Sequence, residues 1–60
     1  MRMNDYMDTL DITVAEMSGM TGIDRSVLHS YRMGRATPTA PVLRRLVMST
    51  GFSADWWLGL

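Results

Sequence analysis

Few residues of this chain could do chemistry, and they point one way. All six basic residues are arginines, at 2, 25, 32, 35, 44 and 45, and there is no lysine. The planar guanidinium is suited to bidentate recognition of phosphate and of guanine O6 and N7. There is no cysteine and one histidine, His29. A lone imidazole without cysteine or carboxylate neighbours is not a metal site. No nucleophile–base pair and no phosphate-cradling glycine loop is present, and 60 residues are too few to enclose a substrate pocket. An enzyme is therefore rejected, and no cofactor, metal or small-molecule substrate is expected.

The richest stretch is "TGIDRSVLHSYRMGRATPT", residues 21–39. On a helix wheel Leu28 and Tyr31 face one way, joined by Ile23, while Arg25, Ser26, His29, Ser30 and Met33 form one continuous outer face. That outer face is polar and free of acid. Serine is short enough to let a helix approach base edges, and arginine can pair with guanine. A solvated helix exterior is the plainer reading of the same residues. Arg44 and Arg45 lie between the apolar pair Val42–Leu43 and the pair Leu46–Val47, and so point outward, to solvent or to phosphate.

These residues need helices to carry them, and the punctuation supplies five: about 3–9, 14–20, 25–33, 40–49 and 54–58. "TVAE" is a capping box in which Thr13 and Glu16 satisfy each other's backbone amides, with Ile12 and Met17 as a hydrophobic staple. Gly22 permits the positive φ that ends that helix. Asp24 caps the next, with Ile23 and Leu28 as its staple, and Gly34 ends it. Thr39 caps the fourth, with Pro41 in its first turn, where a missing amide hydrogen costs little. Gly51 ends it. Ser53 caps the last, with Phe52 and Trp57 as a third staple. Helix 3–9 has the weakest signals, and Met1, Met3 and Met7 are its candidates for packing. Of the adjacent tryptophans, one fills the core and the other stays half exposed, since neighbours on a helix point about 100° apart.

Length allows one domain, residues 1–60, and no alternating run suggests a strand. The expected architecture is all-α, a compact five-helix bundle. Without disulfides, its stability must come from helix packing and a possible second subunit. No apolar run is long enough to span a bilayer, and the acidic start lacks the apolar core of a signal peptide. A soluble cytoplasmic protein, complete or nearly so, is expected. Formal net charge is zero, but residues 1–24 carry one arginine against five acids, whereas residues 25–54 carry five arginines and no acid. Such asymmetry favours a nucleic-acid or acidic partner.

The short glycine-containing connection "MTGID" between two helices has the spacing of a helix-turn-helix, over about residues 13–34. With "GRATPT" and "VLRRLVMSTGFSADWWLGL", it makes residues 10–60 resemble the Cro/C1-type (XRE-family) helix-turn-helix domain of phage and bacterial repressors. Matching points are Met17, Ser18, Gly22, Ile23, Leu28 and Tyr31. The resemblance implies a lambda-repressor-like DNA-binding fold and a transcriptional regulator, repressor-like, in a bacterial or phage-infected cell. It implies that Arg25, Ser26 and Ser30 read bases with His29 and Met33 at the edge. Arg35 would grip phosphate, helped by Arg32, with Thr13 and Arg44 as further phosphate candidates. Val14 stands where the family usually has a phosphate-holding glutamine, and Arg32 where it often has an acid. The match to the family's pair of leucines makes Trp57 the core residue, leaving Trp56 and Leu60 as candidates for a dimer interface. A homodimer would place helix 25–33 of each copy in successive major grooves of a palindromic operator. The alternative is a protein-interaction module on the same fold, a small regulator or antitoxin-like protein with a protein partner.

Overall fold

A computed structural model describes residues 1–60 as five helices and no strand: α1 (Met3–Leu10), α2 (Val14–Thr21), α3 (Arg25–Arg32), α4 (Ala40–Thr50) and α5 (Ala54–Leu58). The caps explain most of these boundaries. Thr13 Oγ1 accepts from the Glu16 amide and Glu16 Oε1 accepts from the Thr13 amide, each at 3.1 Å, so the capping box forms. Asp24 accepts from the Ser26 amide at 3.0 Å, and Ser53 accepts from the Trp56 amide at 3.1 Å. Thr39 departs from expectation. It occupies the N-cap position of α4, but its side chain accepts no capping bond. Pro41 at the second helical position has no N–H, which removes one of the two amides an N-cap oxygen can reach.

Four helix ends differ from the sequence reading by one residue, among them those of α2, which runs on to Thr21, and α4, which runs on to Thr50. α3 stops at Arg32, with Met33 as its C-cap and Gly34 in the left-handed region at φ 71°. α1 runs to Leu10 and ends on Asp11, a non-glycine residue at φ 53°. Short aspartate is among the residues that visit this region most readily.

The core gathers one to three side chains from each helix: Met3, Tyr6 and Met7, Met17, Leu28 and Tyr31, Leu46, Trp57, and Ile23 from the α2–α3 turn. The expected apolar sides of α3 and α4 thus face inward, as do Met3 and Met7, whereas Met1 is exposed. Trp57 is fully buried and Trp56 half-buried. Burial pushes the Tyr31 phenol pKa above its usual 10.0. α2 packs on α3 and α4, α1 on α3, and α4 on α5. The chain ends meet where the Arg2 amide donates to the Trp57 carbonyl at 3.0 Å. The resulting body measures 24 × 23 × 20 Å. No helix is long and apolar enough to cross a membrane.

Candidate nucleic-acid interface

α3 is held by a turn with little freedom. Ser18 Oγ donates to the Ile23 carbonyl at 2.7 Å. Thr21 Oγ1 donates to the Met17 carbonyl at 2.8 Å and accepts from the Ile23 amide at 3.2 Å. Gly22 closes the turn at φ 73°. Three side-chain bonds across residues 17–23 therefore set the direction in which α3 leaves α2. Leu28 and Tyr31 then anchor one side of α3 in the core.

The opposite side carries the expected face. Arg25, Ser26, His29 and Met33 are exposed and Ser30 is half-buried. No acid lies on α3 itself, but Asp24 sits at its N-cap. The Ser26 hydroxyl donates to the Asp24 carboxylate. That bond, the Ser26 amide and the charge of Arg25 hold the Asp24 pKa below its usual 3.8. Ser30 Oγ donates to the Ser26 carbonyl at 3.1 Å. Both serine protons are thus already given to the protein, and each hydroxyl oxygen keeps only acceptor capacity for another partner.

The arginines divide into two sets. Arg2 pairs with Asp5 at 3.4 Å and lies 5.7 Å over the ring of Trp56. Arg32 pairs with Asp8 of α1 at 2.9 Å, while its backbone carbonyl accepts from Asn4 Nδ2 at 3.1 Å. Its second terminal nitrogen is buried without a partner. Arg32 is therefore tied to α1 through a partly exposed ion pair. Arg25, Arg35, Arg44 and Arg45 are exposed and make no ion pair, since the only two are those of Arg2 and Arg32. The Arg35 amide donates to the Ser30 carbonyl at 2.9 Å, which fixes this residue at the C-terminal end of α3.

Among the other expected contacts, Thr13 is exposed at the start of α2, and its hydroxyl proton remains free. Trp56 is largely engaged within the chain, stacked on Phe52 at 4.5 Å and edge-on to Tyr6 at 6.4 Å. Leu60 is 86% exposed. An apolar cleft of about 220 Å³ lies between α1 and α5, lined by Tyr6, Leu10, Phe52 and Trp56 with Asp5 and Thr9 at its polar edge.

One neighbour of the site had no signal in the sequence. Arg45 Nη1 lies 2.9 Å from where a Cβ on Gly22 would sit, so this guanidinium rests on the turn that leads into α3. Periodicity placed Arg45 on the outside of α4 but could not say which part of the molecule that outside faces. Compared with models of protein families, with curated proteins and with solved structures, the chain matches none.

Proposed function

We propose that this chain is a sequence-specific DNA-binding transcriptional regulator of the Cro/C1 helix-turn-helix kind, with α2 and α3 as the motif and α3 entering the major groove. The observation that carries this reading is the sorting of the arginines. The acids of α1 take up Arg2 and Arg32, which leaves Arg25 at the start of α3, Arg35 after its end, and Arg44 and Arg45 on α4 exposed and without an ion pair, while the one acid at this end of α3, Asp24, is bonded to Ser26. Phosphate contacts position such a protein and base contacts give it specificity. Arg25, the first residue of α3, pairs with guanine O6 and N7. Ser26 and Ser30 meet the amino groups of adenine or cytosine as acceptors, because their protons are already donated. His29 lies beside them. Arg35 holds a phosphate after the helix, Arg44 another, and the free Thr13 hydroxyl donates to a third at the start of α2.

A homodimer suits such a small contact set, because one copy makes few phosphate contacts and binds weakly at physiological salt. Two copies of α3 would then lie one helical turn apart, about 34–36 Å, on a palindromic site. Leu60 and the rim of the α1–α5 cleft supply exposed apolar surface for that contact.

Selection of bound duplexes from random DNA, followed by anisotropy titration at two salt concentrations, tests the reading. Arg25→Ala should cost about 1–3 kcal/mol on the selected site and relax one base pair. Arg35→Ala should weaken all sequences evenly and reduce the salt slope by about one unit. Unchanged affinity in both variants would overturn this placement of α3.

A second reading is a protein-interaction module, and the α1–α5 cleft is the observation that favours it. Loss of all DNA affinity at moderate salt, with no sequence preference in the selection, would decide for it.

A further inference from the structure

A groove of about 610 Å³ opens between α4 and the end of α2, lined chiefly by Thr21, Pro41, Arg44, Arg45, Met48 and Ser49. No acid lines it. Neither arginine is ion-paired, and neither makes a side-chain hydrogen bond within the chain. The Ser49 hydroxyl makes no hydrogen bond, whereas that of Thr21 is spent on Met17 and Ile23. Arg45 lies beside Gly22, with Nη1 2.9 Å from where a Cβ on that residue would sit. Its donors are therefore presented in an acid-free concavity three residues ahead of Arg25.

We propose that Arg45, with Arg44 and Ser49 beside it, seats a DNA backbone phosphate in this groove, so that α3 is gripped at both ends. This inference rests on the DNA-binding reading above and adds a contact to it. Arg35 follows the C-terminal end of α3 and Arg45 rests on the turn before its N-terminal end. Eight residues of helix span about 12 Å. A duplex carries one charge per about 1.7 Å of axis, so cations separated by that length meet different phosphates. Two separate phosphate contacts set both the position and the angle of a helix in the groove, whereas one leaves it free to swing. Arg45 thereby acts as a positioning residue for the base contacts of Arg25, Ser26 and Ser30.

The test is anisotropy titration of the full chain between 50 and 200 mM salt, on a selected duplex and on a mixed-sequence duplex. Arg45→Gln should weaken both duplexes and lower the magnitude of the salt slope by about 0.9 per protomer, a loss of roughly threefold less affinity across that range than the unmodified chain shows. Arg45→Lys should restore the slope, because a point charge still neutralises a phosphate. Ser49→Asp, which adds a carboxylate to the groove without touching the turn, should weaken both duplexes even if Arg45→Gln folds poorly. An unchanged slope in Arg45→Gln, or unchanged affinity in Ser49→Asp, would overturn the proposal and leave Arg45 as a cover for the turn. If the unmodified chain binds neither duplex, the DNA-binding reading itself fails.

Discussion

Thr50, the last residue of α4, is the point on which α5 hangs. Its hydroxyl donates to the Leu46 carbonyl at 2.6 Å and accepts from the Trp57 indole at 3.2 Å and the Phe52 amide at 3.3 Å. Thr50→Val keeps the shape and removes the oxygen. The Phe52 amide belongs to an exposed residue and can turn to water. The Trp57 indole cannot, because that residue is 0% exposed. A buried donor left without an acceptor costs about 1–3 kcal/mol. A domain of this size has about 3–9 kcal/mol in total, so the loss is a substantial fraction of its stability. It should lower the Tm by roughly 4–8 °C per kcal/mol. Urea titration followed by helical circular dichroism measures the change directly. The control is the same substitution in a Trp57→Phe background, where the donor is gone and Thr50→Val should cost much less. A cost below about 0.5 kcal/mol, the range of an ordinary surface substitution, would refute the reasoning. So would an equal cost in the two backgrounds. The consequence reaches α3, because the Trp57 carbonyl accepts from the Arg2 amide and so helps to seat α1, which in turn holds Arg32.

Arg32→Ala should cost at most about 1 kcal/mol, since its pair with Asp8 is partly exposed, and should leave the DNA salt slope unchanged; a slope loss equal to that of Arg35→Ala would show that Arg32 reaches phosphate after all. Gly22→Ala should destabilise by about 1–2 kcal/mol from the left-handed backbone alone, and also push Arg45 off the turn; a melting temperature equal to that of the unmodified chain would count against both. Asp24 has a native pKa held below 3.8, first by the Ser26 hydroxyl and then by the Ser26 amide. Its contribution to stability is therefore present above that value and lost as pH falls through the lower native one. Ser26→Ala should shrink this acid-side loss, seen as a smaller fall in the urea midpoint on acidification. An identical pH profile would remove Ser26 as the cause.

Much of this protein was legible in its linear order because the governing interactions span few residues. The capping box Thr13–Glu16 and the caps of Asp24 and Ser53 join residues two or three apart. The inward sides of α3 and α4, and the choice of Trp57 over Trp56 for the core, follow from the helical period and the family pattern together. The outer face of Arg25, Ser26, His29 and Ser30 was readable for the same reason. Local order was also where one expectation failed, at Thr39, which stands at the N-cap position of α4 without accepting a capping bond although the Val42 amide at the third helical position is present.

The fate of the arginines was not legible, because it depends on how helices dock. Six identical side chains differ only in what the fold brings to them. Asp8 reaches Arg32 across 24 positions, and Gly22 lies under Arg45 across 23. Linear order separated an acidic half from a basic one and put Asp5 three residues from Arg2; only the packing of α1 on α3 gave Arg32 the partner Asp8. The same packing left Arg25, Arg35, Arg44 and Arg45 without an acid partner. Helical periodicity can place a charge on an outer surface, but a partner contributed by another helix exists only once the two helices have come together.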